Sequence, residues 1–145
     1  MKHLSKVVIL LTAILLCAAS CDDLEDGKWP KMKWKNTCDL AKDDGAYLIP
    51  EEGGTFTFEC KNYPSFWLGV VIVDGIYHDP CDETGDNHSF KGEWYDVKCE
   101  GNKLIIKAEP LPSTLESRNF EVGVTAGDIF DGFKFSQQKG WHIWM

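Results

Sequence analysis

The cysteines are the first residues of this 145-residue chain with a chemistry to assign: Cys17, Cys21, Cys38, Cys60, Cys81 and Cys99. The last four are spaced 22, 21 and 18 residues apart, and no C-x-x-C occurs among them. That spacing disfavours a dithiol redox motif or a zinc ribbon. In an exported chain four cysteines imply two disulfides with three possible connectivities, and loop length favours Cys38–Cys60 and Cys81–Cys99. Asp79, Asp82, Glu83 and Asp86 could offer oxygens to calcium, but their spacing is not that of an EF-hand, so they read as a solvated loop. His78, Cys81 and His88 are zinc-ligand types, yet Cys81 is needed for the even disulfide count. No metal and no cofactor is expected. Catalysis has little to work with: there is no G-x-S-x-G, and His78, His88 and His142 are the histidines beyond the first twenty residues. No enzyme is expected.

Aromatic residues offer a different chemistry, because flat rings stack on the apolar face of a sugar. Tyr63, Phe66 and Trp67 stand near one strand start, Tyr77 and Tyr95 lie further on, and the chain closes on Trp141-His142-Ile143-Trp144. Tyr63, Trp67, Trp141 and Trp144 are the ligand-binding candidates. For Trp67 and Trp94 the competing reading is core, since β-sandwiches commonly bury a tryptophan or two. The tail either folds back over an open sheet edge or forms an exposed patch. Trp29 and Trp34 sit in the Lys-rich stretch KWPKMKWK and either dock on the domain or touch something else.

The elements that must position these residues follow a period of two. Ala46–Ile49 is a short strand closed by Pro50 and the turn Glu51-Glu52-Gly53-Gly54. Thr55–Cys60 alternates, with Phe56, Phe58 and Cys60 on one face. Phe66–Val73 is almost continuously apolar, as expected of a strand covered on both faces. Asp74-Gly75 is a hairpin signal leading into Ile76–His78, followed by a polar insert from Asp79 to Glu93. Trp94–Cys99 and Lys103–Ala108 flank the turn Glu100-Gly101-Asn102, with Leu104, Ile106 and Ala108 on one face. Asn119–Thr125 points Phe120, Val122 and Val124 inward, and Ile129–Gln137 places Phe133 and Phe135 together. Strands of this length and spacing, with no helical period beyond the first twenty residues, predict an all-β antiparallel sandwich or barrel. Residues 21–44 read as an acidic, Trp-containing tether tied down only at Cys38, and 139–145 as a Trp-rich tail.

Charge and address narrow the partners. A formal net charge of −8 argues against nucleic acid. Residues 1–20 begin with Lys2 and Lys6, continue as a thirteen-residue apolar run from Val7 to Ala19 and end on small residues. That run is short for a membrane span and fits a cleaved export signal. Ala18-Ala19-Ser20-Cys21 resembles the lipobox of bacterial lipoproteins, with Ala18 in place of the usual Leu. The resemblance implies acylation of Cys21 and a membrane partner through the lipid. The acidic cluster Asp22, Asp23, Glu25 and Asp26 resembles the surface-export signal of Bacteroidetes lipoproteins, which implies the outer face of the outer membrane.

Between about 45 and 138 the chain resembles the BACON domain. The residues that carry the likeness are Glu52-Gly53-Gly54-Thr55 before an alternating strand, and Trp94 opening a strand with Val97 three residues on. The Gly101-Asn102 turn into Leu104-Ile105-Ile106 and Arg118 opening a hairpin that ends at Gln137 complete it. The resemblance implies an immunoglobulin-like sandwich of roughly seven to eight strands, often attached to glycan-degrading systems. The four cysteines and the insert depart from that pattern, as does a domain standing alone. Two non-enzymatic functions follow as expectations: a protein-interaction or spacer subunit of an envelope assembly, and a weak glycan- or mucin-binding accessory protein.

Overall fold

The computed structural model describes residues 29–35 and 38–143. The expected signal at 1–20, the acylated Cys21 and the candidate Trp144 lie outside them.

Among the described residues, ten strands form two sheets. They are β1 (Lys42–Asp43), β2 (Ala46–Ile49), β3 (Gly54–Glu59), β4 (Trp67–Val73), β5 (Ile76–His78), β6 (Ser89–Lys91), β7 (Tyr95–Glu100), β8 (Lys103–Ala108), β9 (Ser117–Ala126) and β10 (Ile129–Gln138). The larger sheet runs β1-β2-β10-β9-β4-β5 and the smaller β3-β8-β7-β6. All pairings are antiparallel except β2 on β10, where Phe135 lies opposite Tyr47. Two sheets with β10, β9 and β4 adjacent in one, and β3, β8 and β7 in the other, make an immunoglobulin-like sandwich.

The strand alternation read from the sequence is present. Phe58, Val97, Leu104 and Ile106 from the smaller sheet meet Leu68, Val71, Phe120, Val122, Phe133 and Phe135 from the larger. Asp74 and Gly75 both take positive φ, as a two-residue hairpin loop between right-twisted strands requires.

Four expectations are corrected. The polar insert holds β6 and a short helix α1 (Pro80–Thr84), which Asp79 caps through an Asp82 N–H bond of 3.1 Å, with Pro80 in the first turn and Gly85 left-handed at the end. The tether is fastened on both sides of Cys38: Trp34 bridges to Cys60 and Met32 is in the core before it, and Leu40 is in the core after it. β4 is covered on its inner face only; its apolar run reflects packing of Leu68 and Val71, while Trp67 and Gly69 are exposed.

The fourth correction concerns sulfur. The structure contains neither of the two expected disulfides: Cys38, Cys60, Cys81 and Cys99 are all free thiols. Cys60 and Cys99 are buried among core side chains, whereas Cys81 is exposed on α1. A buried thiol behaves as a small apolar group. Burial accordingly pushes the Cys99 thiol up to about 12.

Candidate functional site

The outer face of the larger sheet carries an apolar trough, and strand register explains its shape. Three cross-strand rows lie side by side: Trp67, Thr125 and Phe130; Val70, Gly123 and Gly132; Ile72, Glu121 and Lys134. Tyr77 of β5 pairs with Ile72 and extends the third row. The middle row is nearly bare, because two of its three residues are glycines. A β-bulge between Leu68 and Val70 adds Gly69 to the same face. The result is an open depression of about 580 Å³ lined by Gly69, Val70, Gly123, Phe130 and Gly132.

Packing accounts for one glycine. A Cβ on Gly123 would come within 2.6 Å of a Val70 methyl, so Val70 leans across it. Cβ atoms on Gly69 and Gly132 would meet only ordinary contacts, at 3.7 and 3.8 Å. Their bareness keeps the floor low. Phe130 stands over it at 76% exposure, with Tyr77 at 73% and Ile76 at 63% further along the sheet. Polar groups at the rim are already engaged: the Thr125 hydroxyl donates to Gly127 O at 2.7 Å, and Lys134 approaches Glu121 at 3.8 Å.

A smaller depression of about 280 Å³ lies at the end of the sandwich, between Trp29, Tyr63 and the β9–β10 turn Ala126, Gly127 and Asp128. The Tyr63 hydroxyl donates to the carbonyl of Pro30. A third, of about 430 Å³, opens between β5 and β6 where His78 Nδ1 meets Glu83 at 3.0 Å. Tyr95 borders it, and burial together with the charge of Glu83 raises its phenol pKa. Among its lining residues the hydroxyl is the Tyr95 phenol; no serine, threonine or cysteine is among them.

The sequence-derived candidates are scattered by the fold. Trp67 reaches the rim of the trough and Tyr63 the smaller depression. Trp29 is 66% exposed, while Trp34 is a packing residue: its ring meets Phe66 and Phe133 edge-on and its indole donates to Asp131 at 2.7 Å. Trp94 is half-buried under the guanidinium of Arg118, 4.0 Å away. Trp141 folds back onto the β2–β3 turn, where its carbonyl accepts from Glu51 N at 2.8 Å. Its indole N–H is buried without a hydrogen-bond partner. The acidic loop spends its carboxylates locally: Asp86 accepts from the His88 N–H and the Ser89 hydroxyl, which holds its pKa low. Among the described residues no three His, Cys, Asp or Glu side chains gather as a metal site.

Sequence reasoning missed Phe130 and the glycine row. The signal for Phe130 was present, since it is out of phase with Phe133 and Phe135 and must face away from them. The glycines separate into a floor only once Val70, Gly123 and Gly132 are in register.

The fold and this exposed face define an immunoglobulin-like sandwich with one open apolar sheet surface. Among solved structures, the chain is similar to a protein from Bacteroides thetaiotaomicron determined by NMR, at 37% identity and a TM-score of 0.65 over 79% of this chain and 92% of that one. The chain belongs to the same family as that Bacteroides protein. It is also similar to the titin domains Z1Z2 solved in complex with telethonin (12% identity, TM-score 0.40) and to the Ig1-2 module of the Drosophila receptor tyrosine phosphatase DLAR (14% identity, TM-score 0.37). It covers 77% and 75% of its own length against these two, and spans 48% of each. No family model and no curated protein matches the chain.

Proposed function

We propose that this chain is a non-enzymatic, lipid-anchored module of the bacterial cell surface that holds a protein partner on the outer face of its larger sheet. The observation that carries the reading is the trough: a glycine-floored apolar depression with Phe130 standing 76% exposed beside it. Contiguous apolar surface of this kind marks interaction sites, and aromatic side chains are the usual anchors there. Rim groups that are already hydrogen-bonded or ion-paired suit an apolar side chain better than a sugar, which needs unengaged donors and acceptors. The surface address rests on the lipobox-like Cys21 and the acidic cluster after it, and a Bacteroides relative supports it.

The test is site-specific photocrosslinking on native membranes. A photoreactive phenylalanine at Phe130 is expected to give a discrete protein adduct, and the same group at Lys98 on the opposite sheet none. Gly132→Glu, which puts a charge on the trough floor, is expected to reduce that adduct at least tenfold without changing the unfolding midpoint. Equal adducts at both positions, or none at Phe130, would remove the reading.

A weak glycan-binding role is the second reading, favoured by Trp29 and Tyr63 flanking Asp128 and by the BACON-like pattern. Affinity gels with a polysaccharide panel decide it, and retardation abolished by Trp29→Ala is its signature.

A further inference from the structure

The Lys-rich segment is the sequence motif that the proposed partner face does not use. Residues 31–35 alternate, with Met32 and Trp34 turned inward and Lys31, Lys33 and Lys35 exposed. The segment is fastened along its length to residues 59–63. Lys35 N donates to Glu59 O at 2.8 Å and Lys61 N to Lys33 O at 2.7 Å. Lys33 N donates to Asn62 Oδ1 at 2.8 Å, and Asn62 Nδ2 to Lys31 O at 2.9 Å. Lys61 is exposed beside them, and Trp29 stands 66% exposed at the end of the stripe. A chain of net charge −8 therefore holds a fixed basic stripe next to a projecting indole. Counter-charges beside the stripe include Glu59, bound to Lys35 at 2.6 Å, and Asp128, which lines the same depression as Trp29.

We propose that this pole of the sandwich is a membrane-contact surface whose occupant is an anionic, phosphate-bearing lipid leaflet. Lys31, Lys33 and Lys61 meet lipid phosphates, and Trp29 seats at the interface, where an amphipathic ring is favoured. For its placement the proposal rests on the anchored reading given above. Cys21 precedes Trp29 by eight residues, a span of at most about 29 Å, so an acylated Cys21 keeps the stripe within reach of the bilayer. Asp22, Asp23, Glu25 and Asp26 lie in that span and oppose the attraction, so contact needs the lysines and the indole together. Asp128 lines the adjoining depression and opposes any anion entering it, so the lipid phosphates meet the lysine stripe and not that depression.

Every described strand and core residue lies within residues 29–143, so the chain starting at Asp22 keeps every described contact. Its co-sedimentation with vesicles of phosphatidylcholine, alone or mixed with phosphatidylglycerol, tests the proposal. Binding is expected to the mixed vesicles, to weaken with salt, and to fall at least fivefold in Lys31→Glu/Lys33→Glu and in Trp29→Ala. All three side chains are exposed, so these variants should keep the parent unfolding midpoint. Absence of vesicle binding, equal binding to both vesicle types, unchanged binding in the variants, or retention on an acidic polysaccharide instead of vesicles would each overturn it. Because the tested chain lacks Cys21, its failure leaves the anchor standing. An unprocessed amino end found by mass spectrometry would overturn the anchor and leave the vesicle result.

Discussion

Single residues in this chain do less than their types advertise, and the cysteines show why. Even number and export signal pointed to disulfides, yet Cys60 and Cys99 sit in the core as small apolar side chains. A thiol at about 12 is almost entirely protonated at neutral pH, and the thiolate is the reactive form. In the native protein Cys81 is expected to react with a thiol reagent within minutes and Cys38 more slowly. Cys60 and Cys99 should react only on unfolding, which quantitative alkylation and peptide mapping will show. The same burial has a pH consequence. The folded pKa of Cys99 lies above its ordinary value near 9, so the fold favours the neutral thiol. That contribution is intact below about pH 9 and is lost as pH rises towards 12, at up to about 1.4 kcal/mol per pH unit. Urea midpoints measured from neutral to alkaline pH should fall over that window, and less steeply in Cys99→Ala.

At the scale of elements, the sequence was legible wherever one face is buried and the other wet. β8 and most of β9 alternate in burial with the faces the sequence predicts, and in β3 Phe58 is buried as expected while Phe56 is half-buried. β4 reads as doubly covered because Val70 and Ile72 are as apolar as the core residue Val71 between them, and composition cannot tell an open apolar face from a covered one. The tether was misjudged for the opposite reason: its lysines drew attention away from the alternation of Met32 and Trp34. Trp34 closes one end of the sandwich against Phe66 and Phe133. Trp34→Ala would open a gap there and leave Asp131 without its indole donor. A loss of about 2–4 kcal/mol is expected in urea unfolding, with new tryptic cleavage among Lys31, Lys33 and Lys35. The candidate trough was the least legible part, because its floor exists only through the pairing of three strands distant in sequence.

Across the whole molecule, one buried polar cluster ties the far end together. Arg118 Nε donates to Gln137 Oε1 at 2.7 Å, and its Nη2 reaches the carbonyls of Glu109 and Pro110 at 2.7 and 2.9 Å. Gln137 Nε2 donates to Pro50 O at 2.8 Å and Glu109 O at 3.1 Å. Two connections that packing alone would leave loose, β2–β3 and β8–β9, are thereby joined to β9 and β10. Gln137→Met preserves volume but strands the Arg118 Nε donor and the Pro50 carbonyl. An expected cost of about 2–4 kcal/mol follows, readable as a lowered denaturation midpoint with the secondary structure unchanged by circular dichroism.

The tether enters beside the turn after β9, whereas the tail leaves beyond the end of β10 and fastens to the turn after β2. These two points are separated by the ten residues of β10, about 33 Å of extended strand. Tension between an anchored amino end and a load at the carboxyl end would therefore run lengthwise along the strands. Such a pull would shear many ladder bonds at once instead of unzipping them singly.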